Sequence, residues 1–286
     1  MDIKITPSPI SGSIEAISSK SFAHRALICA CLSQGESRIK INTTSDDIEA
    51  TISCLRSLGA VIEKNGNVYT VTPIENIRSN AVIDCGESGS TLRFMIPVAA
   101  AGGVEATFLG RGRLPERPIG VYTEALPEKG VTVDTEGGLP LKISGQLKSG
   151  VYRVPGSVSS QFITGLLFAL PLLKGDSDII LTSPIQSAGY INMTIRTMAK
   201  FGVEVDILDN GWHIRGRQHY VPSDYTTDGD WSQAAFFLVA GAVSGDVEVL
   251  NANIDSAQGD RRIAALLREF GAEVIQDGDR LRVKRS

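Results

Sequence analysis

Apolar residues in this chain gather into four stretches, residues 23–32, 91–101, 162–173 and 234–243, that are hydrophobic nearly all the way round a helical wheel. A helix without a polar face is buried on all sides, so the pattern predicts four interior helices. Pro97 and Pro171 fall inside two of them, where a kink or an early end is expected because proline lacks the N–H of the helical ladder. Gly35, Gly103, Gly175 and Gly245 close these helices, and strand-like runs such as Arg38-Ile39-Lys40-Ile41 and Val247-Glu248-Val249-Leu250 follow. A second set of helices, at 46–58, 121–128, 190–200 and 263–270, is more polar and is expected to cover the outside. Each of these ends before a glycine suited to the left-handed C′ position, at 59, 130, 202 and 271, in steps of 71, 72 and 69. Ser21, Ser90, Ser160 and Ser232 open the apolar helices in the same phase, at steps of 69, 70 and 72. The chain is therefore four copies of one module of about 70 residues: helix, strand, helix, strand, strand. This predicts an α/β fold in which buried parallel helices are walled by sheets.

Composition removes several function classes. The 286 residues carry a net charge of −4 and are 21% charged, which argues against the clustered basic surface of a nucleic-acid groove. Aromatics at 6% are too sparse for a base-stacking platform. The longest apolar runs, at 163–173 and 234–243, are too short to span a bilayer, and the N-terminus shows no basic-then-apolar leader. Cys29, Cys31, Cys54 and Cys85 have no metal-ligand spacing, so buried reduced thiols, no metal, no cofactor and a cytoplasmic setting are expected.

The chemistry collects at the starts of the apolar helices. Module one has Ser18-Ser19-Lys20-Ser21 with Arg25 one turn on; module two has Glu87-Ser88-Gly89-Ser90-Thr91 with Arg93 behind. Module three has Ser157-Val158-Ser159-Ser160-Gln161, and module four has Asp228-Gly229-Asp230-Trp231-Ser232. N-capping accounts for one Ser or Asp per helix. It does not account for Lys20 and Arg25, or a Ser-Ser-Gln run, on otherwise apolar helices. Helix N-termini attract anions by about 0.3–1 kcal/mol each, and a charge-assisted hydrogen bond adds about 1.5–3 kcal/mol. Such a cleft suits a small, multiply anionic ligand.

At these residues the sequence resembles the 5-enolpyruvylshikimate-3-phosphate synthase family. The runs that carry the likeness are Ser19-Lys20-Ser21-Phe22-Ala23-His24-Arg25, Glu87-Ser88-Gly89-Ser90-Thr91-Leu92-Arg93, Glu116-Arg117-Pro118-Ile119 and Ser159-Ser160-Gln161-Phe162. Ser187-Ala188-Gly189-Tyr190 and Ser256-Ala257-Gln258-Gly259-Asp260 extend it along the whole chain, in order. The resemblance implies an inside-out α/β barrel of repeated βαβαββ modules, six in two domains, of which four are present here. It implies transfer of the enolpyruvyl group of phosphoenolpyruvate to the 5-hydroxyl of shikimate 3-phosphate, in the pathway to chorismate and aromatic amino acids. By the same resemblance Lys20 stands between both substrates, Ser21 and Arg25 hold the shikimate carboxylate, and Ser159, Ser160 and Ser187 bind its phosphate. Gln161 lies over the ring beside phosphoenolpyruvate, and Tyr190 is on the shikimate side. Gly89 and Arg117 contact the phosphoenolpyruvate phosphate, Gly89 being also where glyphosate fits. Arg93 reads either as part of this site or as a structural ion pair, and Tyr190 either as part of the site or as packing alone.

The implied layout is a complete three-module domain at 19–228, with 1–18 and 229–286 forming a partial second domain of one module, and crossings near Ser18 and residues 227–229. The first strand of that second domain is expected at Ile3-Lys4-Ile5. The family's acid–base carboxylates belong to modules five and six. None of Asp46, Asp47, Glu87, Glu116, Asp230 or Asp260 holds that position, although the chemistry needs a carboxylate within hydrogen-bond reach. A module that binds shikimate 3-phosphate without turnover is therefore an alternative, as is a chain that self-associates or needs a complementing C-terminal partner. UDP-N-acetylglucosamine enolpyruvyl transferase shares the fold and is a remote alternative, because residues 110–117 lack its reactive Cys and Lys20 is followed by Ser21 rather than Asn.

Overall fold

The computed structural model describes residue 6 and residues 8–285. The strand expected at residues 3–5 lies outside the described residues. Eight α-helices are present among them: α1 Lys20–Cys31, α2 Asp46–Leu58, α3 Gly89–Ala101, α4 Gly120–Ala125, α5 Ser160–Ala169, α6 Ala188–Lys200, α7 Trp231–Ser244 and α8 Ile263–Glu269. The chain divides into a larger unit, Lys20–Thr226, and a smaller one made of the residues through Ser19 and those from Thr227 on. Ser19, Thr227 and Asp228, assigned from the sequence to the larger unit, lie in the smaller. There the Ser19 amide donates to the Asp228 carbonyl at 2.8 Å, Ser18 pairs with Gly229, and the Thr227 hydroxyl donates to Ser18 at 2.8 Å.

Each module wraps its helices on a four-stranded sheet of one pattern. In the second module Ala81–Asp84 runs parallel to Ala106–Leu109, which pairs antiparallel with Leu141–Gly145, and that strand pairs antiparallel with Val131–Asp134. The third module repeats this with Gly150–Pro155, Ser177–Ser183, Gly211–Ile214 and Asp206–Leu208. The first module takes its leading strand from the far end of the unit: Asp224–Thr226 runs parallel to Ser37–Lys40, next to Val68–Thr72 and Val61–Asn65. The smaller unit does the same, with Ile10–Glu15 parallel to Gly245–Leu250, followed by Arg280–Lys284 and Glu273–Asp277. The leading strand of every module is absent from the five-element periodic reading; in the first module it is only Asp224-Tyr225-Thr226, too short a run to carry an alternation.

Local chemistry sets the helix ends. Ser45 caps α2 by accepting from the Ile48 amide, and Gly59 ends it at φ 119°, a left-handed conformation open to glycine. Ser88, Ser159 and Asp230 cap α3, α5 and α7, so Ser90, Ser160 and Ser232 sit inside the first turns rather than before them. α4 is shorter than the helix expected at 121–128 and passes into a 3-10 turn at Pro127–Lys129, since Pro127 cannot donate to the ladder. Pro171 likewise lies in the 3-10 turn that follows α5. Pro97 ends nothing: α3 runs through it to Ala101.

α1, α3 and α5 form the interior of the larger unit. α3 packs on α5, and α1 packs on α2 and α6. Every residue from Phe22 to Cys31 is buried, as is all of α3 except Ser90 and Ala101 and all of α5 except Gln161. The four cysteines are free and buried there, and the Cys54 and Cys85 sulfurs, 4.0 Å apart, are too distant to be bonded. α7 departs from the prediction for apolar helices. Trp231, Ala234, Leu238 and Gly241 are buried, but Phe236 is 73% and Val243 66% exposed, with Phe237 and Val239 also on the surface. The smaller unit holds a single module, so α7 finds its own sheet and α8 on one side and no sister helix on the other. Among the described residues no helix is long and apolar enough to cross a membrane.

Candidate active site

Apart from Ala101 at the end of α3, the residues of α1, α3 and α5 that escape burial stand in the first turns of those helices, and these starts converge. A cavity of about 350 Å³ is lined by Lys20, Ser21 and Arg25 of α1, by Ser90 and Phe94 of α3, and by residues Val158 to Gln161 at the start of α5. The segment leading into α6 adds Gln186, Ser187 and Tyr190. The structure thus brings Lys20, Ser21, Arg25, Ser159, Ser160, Gln161, Ser187 and Tyr190 around one cavity. Gly89 and Arg117 are not in that lining. They meet beside it, where a Cβ on Gly89 would lie 2.8 Å from Nη1 of Arg117 and equally 2.8 Å from Nη1 of Arg93. The backbone of Arg117 is extended (φ −74°, ψ 141°), as its place before a proline requires.

Arg25 is the electrostatic centre of the cavity. It is 3% exposed and has no carboxylate partner among the described residues; Nε donates to Thr194 Oγ1 at 2.8 Å, Nη1 to the Ser21 carbonyl at 2.7 Å and Nη2 to the Tyr190 carbonyl at 3.0 Å. Its guanidinium carbon stands 5.4 Å from the Phe94 ring centroid and 6.0 Å from that of Tyr190, a ring that also lines the cavity. Burial lowers its pKa to about 10, which leaves it protonated at neutral pH. Lys20 is half-exposed and its Nζ pairs with Asp47 Oδ2 at 2.7 Å.

Arg93 forms no ion pair among the described residues, unlike the structural pair that the sequence allowed. Its guanidinium donates to Gln161 Oε1 at 2.6 Å and to the Pro118 carbonyl at 3.0 Å, while its buried Nε has no partner among the described residues. Burial first, and Arg117 nearby, lower its pKa. Guanidinium groups only donate, so Gln161 turns its oxygen to Arg93 and its NH₂ to Ser90 Oγ, at 2.8 Å. Ser159 serves as the α5 cap, accepting from the Gln161 amide at 3.2 Å, which leaves its hydroxyl proton available to a ligand. Ser187 adopts φ 60° without a side-chain cap bond, and strain of this kind in a non-glycine residue gathers at binding sites.

Lys20 and Arg25 line the cavity, Arg93 and Arg117 meet at Gly89, and among the described residues Lys20 alone of the four has a carboxylate in an ion pair, Asp47, so the arrangement suits an anion at both the cavity and the Gly89 corner. Sequence reasoning did not find Ser90, Phe94 and Gln186 as lining residues, nor Asp47 and Thr194 as partners. Thr194 carried a signal, since it follows Tyr190 by four residues on one helix face. Asp47, 27 residues from Lys20, carried none.

The sequence matches the EPSP synthase (3-phosphoshikimate 1-carboxyvinyltransferase) family over residues 5–286. It is 46% identical over 275 residues to a Clostridium kluyveri protein named 3-phosphoshikimate 1-carboxyvinyltransferase, covering 95% of this chain and 65% of that one. A Clostridioides difficile protein of the same name is 43% identical over 295 residues, covering 98% and 67%. The fold is similar to that of EPSP synthase from Acinetobacter baumannii, with TM-score 0.82 at 22% identity, over 96% of this chain and 64% of that structure. The chain thus spans about 65% of the length of the curated relatives it matches. On the family match and these identities, the chain belongs to the EPSP synthase (3-phosphoshikimate 1-carboxyvinyltransferase) family.

Proposed function

We propose that the larger unit binds shikimate 3-phosphate as the acceptor for enolpyruvyl transfer from phosphoenolpyruvate, giving 5-enolpyruvylshikimate 3-phosphate and phosphate in the cytoplasm. The observation that carries this is the buried Arg25, paired with no carboxylate among the described residues, in a cavity lined by seven further residues of the expected acceptor site. Arg25 and Ser21 take the ring carboxylate. Ser159, Ser160 and Ser187 donate to the phosphate, and Tyr190 closes the shikimate side. Lys20 lies between the two substrates, with Gln161, Gly89 and Arg117 toward phosphoenolpyruvate. Shikimate 3-phosphate should bind this chain in calorimetry, and Ser160→Ala should lose about 1.5–3 kcal/mol, some 10- to 150-fold in Kd. Tight phosphoenolpyruvate binding with none of shikimate 3-phosphate would reverse the assignment.

Binding without turnover is the second reading, favoured by the engagement of Asp47, which lies outside the cavity lining, in an ion pair with Lys20. Proton transfer to the methylene carbon and from the 5-hydroxyl needs a carboxylate held in reach. Phosphate release with both substrates, measured with and without a chain supplying two further modules, separates the two readings. The relatives' name and the absence of the reactive Cys leave no support for a UDP-N-acetylglucosamine substrate.

We further propose that the 286-residue chain self-associates through α7. Phe236 and Val243 are each worth about 1.5–3 kcal/mol when covered, and a contiguous apolar face normally marks an interface. Sedimentation should show concentration-dependent association that Phe236→Ser with Val243→Ser removes. A monodisperse wild-type monomer would end this reading.

A further inference from the structure

Pro97 leaves α3 with a carbonyl that the helix itself does not satisfy. It stands in the helix interior, so the amide that would bond the carbonyl four residues back, that of Arg93, does not exist. A freed carbonyl in a dry core needs another donor. The Tyr122 hydroxyl, on α4, supplies it: Oη is 2.7 Å from the Arg93 carbonyl and 2.9 Å from the Phe162 carbonyl on α5. Its burial keeps the phenol protonated and therefore a donor. The meeting point is made by Gly165 on α5, where a Cβ would lie 2.2 Å from the Arg93 oxygen and 2.4 Å from Tyr122 Oη.

The consequences fall on the anion corner. Tyr122 meets the Phe162 ring edge-on at 4.9 Å, and that ring carries the Arg93 guanidinium at 5.0 Å. Arg93 in turn holds Gln161 and the Pro118 carbonyl, next to Arg117. One phenol therefore ties α3, α5 and the Arg117–Pro118 segment together beneath the point where two guanidinium groups approach Gly89. Resting on the proposed phosphoenolpyruvate site, we infer that Tyr122 is a positioning residue for a phosphate held by Gly89, Arg93 and Arg117, with Pro97 and Gly165 as the features that require and admit its hydroxyl.

The test uses the full chain saturated with shikimate 3-phosphate, so that a second phosphate can enter only the Gly89 corner, with inorganic phosphate as the probe. Tyr122→Phe keeps the ring and removes the donor; it should weaken phosphate at least tenfold while shikimate 3-phosphate changes less than twofold. Adding Pro97→Ala restores the helical N–H to the Arg93 carbonyl, so Pro97→Ala/Tyr122→Phe should return phosphate binding to within about twofold of wild type. Equal loss of both ligands in Tyr122→Phe, or no recovery in the double variant, overturns the inference. No phosphate binding by the wild-type chain overturns the anion site and this role with it. Phosphate binding unaltered in Tyr122→Phe overturns the role of Tyr122 and leaves the proposed function standing.

Discussion

Arg25→Ala should lose shikimate 3-phosphate binding by about 100-fold or more. A bidentate guanidinium–carboxylate contact comprises two charge-assisted bonds of about 1.5–3 kcal/mol each. Arg25 is aimed for one by three bonds of its own, to Thr194, Ser21 and Tyr190. Arg25→Lys keeps the charge but loses the planar fork, and cannot reproduce those three bonds with one nitrogen, so it should recover little of the lost affinity. Calorimetry with shikimate 3-phosphate, accompanied by thermal melts with and without ligand, measures both. Affinity within threefold of wild type for Arg25→Ala would remove Arg25 from the site. Full recovery by Arg25→Lys would reduce its role to that of a point charge.

The second large effect is on stability as pH falls. His24 is 1% exposed on α1; Nδ1 lies 2.6 Å from Thr51 Oγ1, and Nε2 has no partner among the described residues. Burial lowers its pKa from 6.5 to about 3, outweighing the opposing effect of Asp47, while Arg25 and Lys20 act in the same direction as burial. The folded chain therefore holds a neutral His24, whereas the unfolded chain takes up a proton below pH 6.5. Its contribution to stability is complete above about pH 6.5 and is lost as pH falls toward 3, because the unfolded state binds the extra proton. At about 1.36 kcal/mol per unit, roughly 2 kcal/mol is lost by pH 5 and about 5 kcal/mol by pH 3. Urea unfolding of wild type and His24→Gln between pH 7 and pH 5 should show the variant with the shallower decline. Parallel declines would mean that His24 accepts a proton in the folded state.

Which parts of this molecule were legible in advance follows from the range of the interactions involved. α2 occupies the span read from the sequence, Asp46–Leu58, because both of its ends are local events: the Ser45 cap and the left-handed Gly59. The helix starts bearing Lys20, Ser160 and Gln161 were legible for a similar reason, since a polar run opening an all-apolar helix repeats in phase through the chain. Pro97 misled because the rule that proline interrupts a helix is local, while its remedy, the Tyr122 hydroxyl, arrives from 25 residues further on. Arg93 was ambiguous because a lone Arg on an apolar helix looks alike whether it meets a carboxylate or a glutamine.

The sequence by itself therefore determined the repeat, the alternation of helices and strands, most caps, and the polar groups at the helix starts. These depend on neighbours within about one helical turn, and such neighbours leave a periodic trace. Tertiary structure alone decided the rest. It set Asp224–Thr226 beside Ser37–Lys40, Thr194 on Arg25, Asp47 on Lys20, and Tyr122 beneath Arg93. It also left one face of α7 in solvent while α1, α3 and α5, of like composition, are enclosed. An apolar helix records that it needs cover. It does not record whether the chain brings other helices to supply it, because burial is a property of the assembled neighbours and not of the segment.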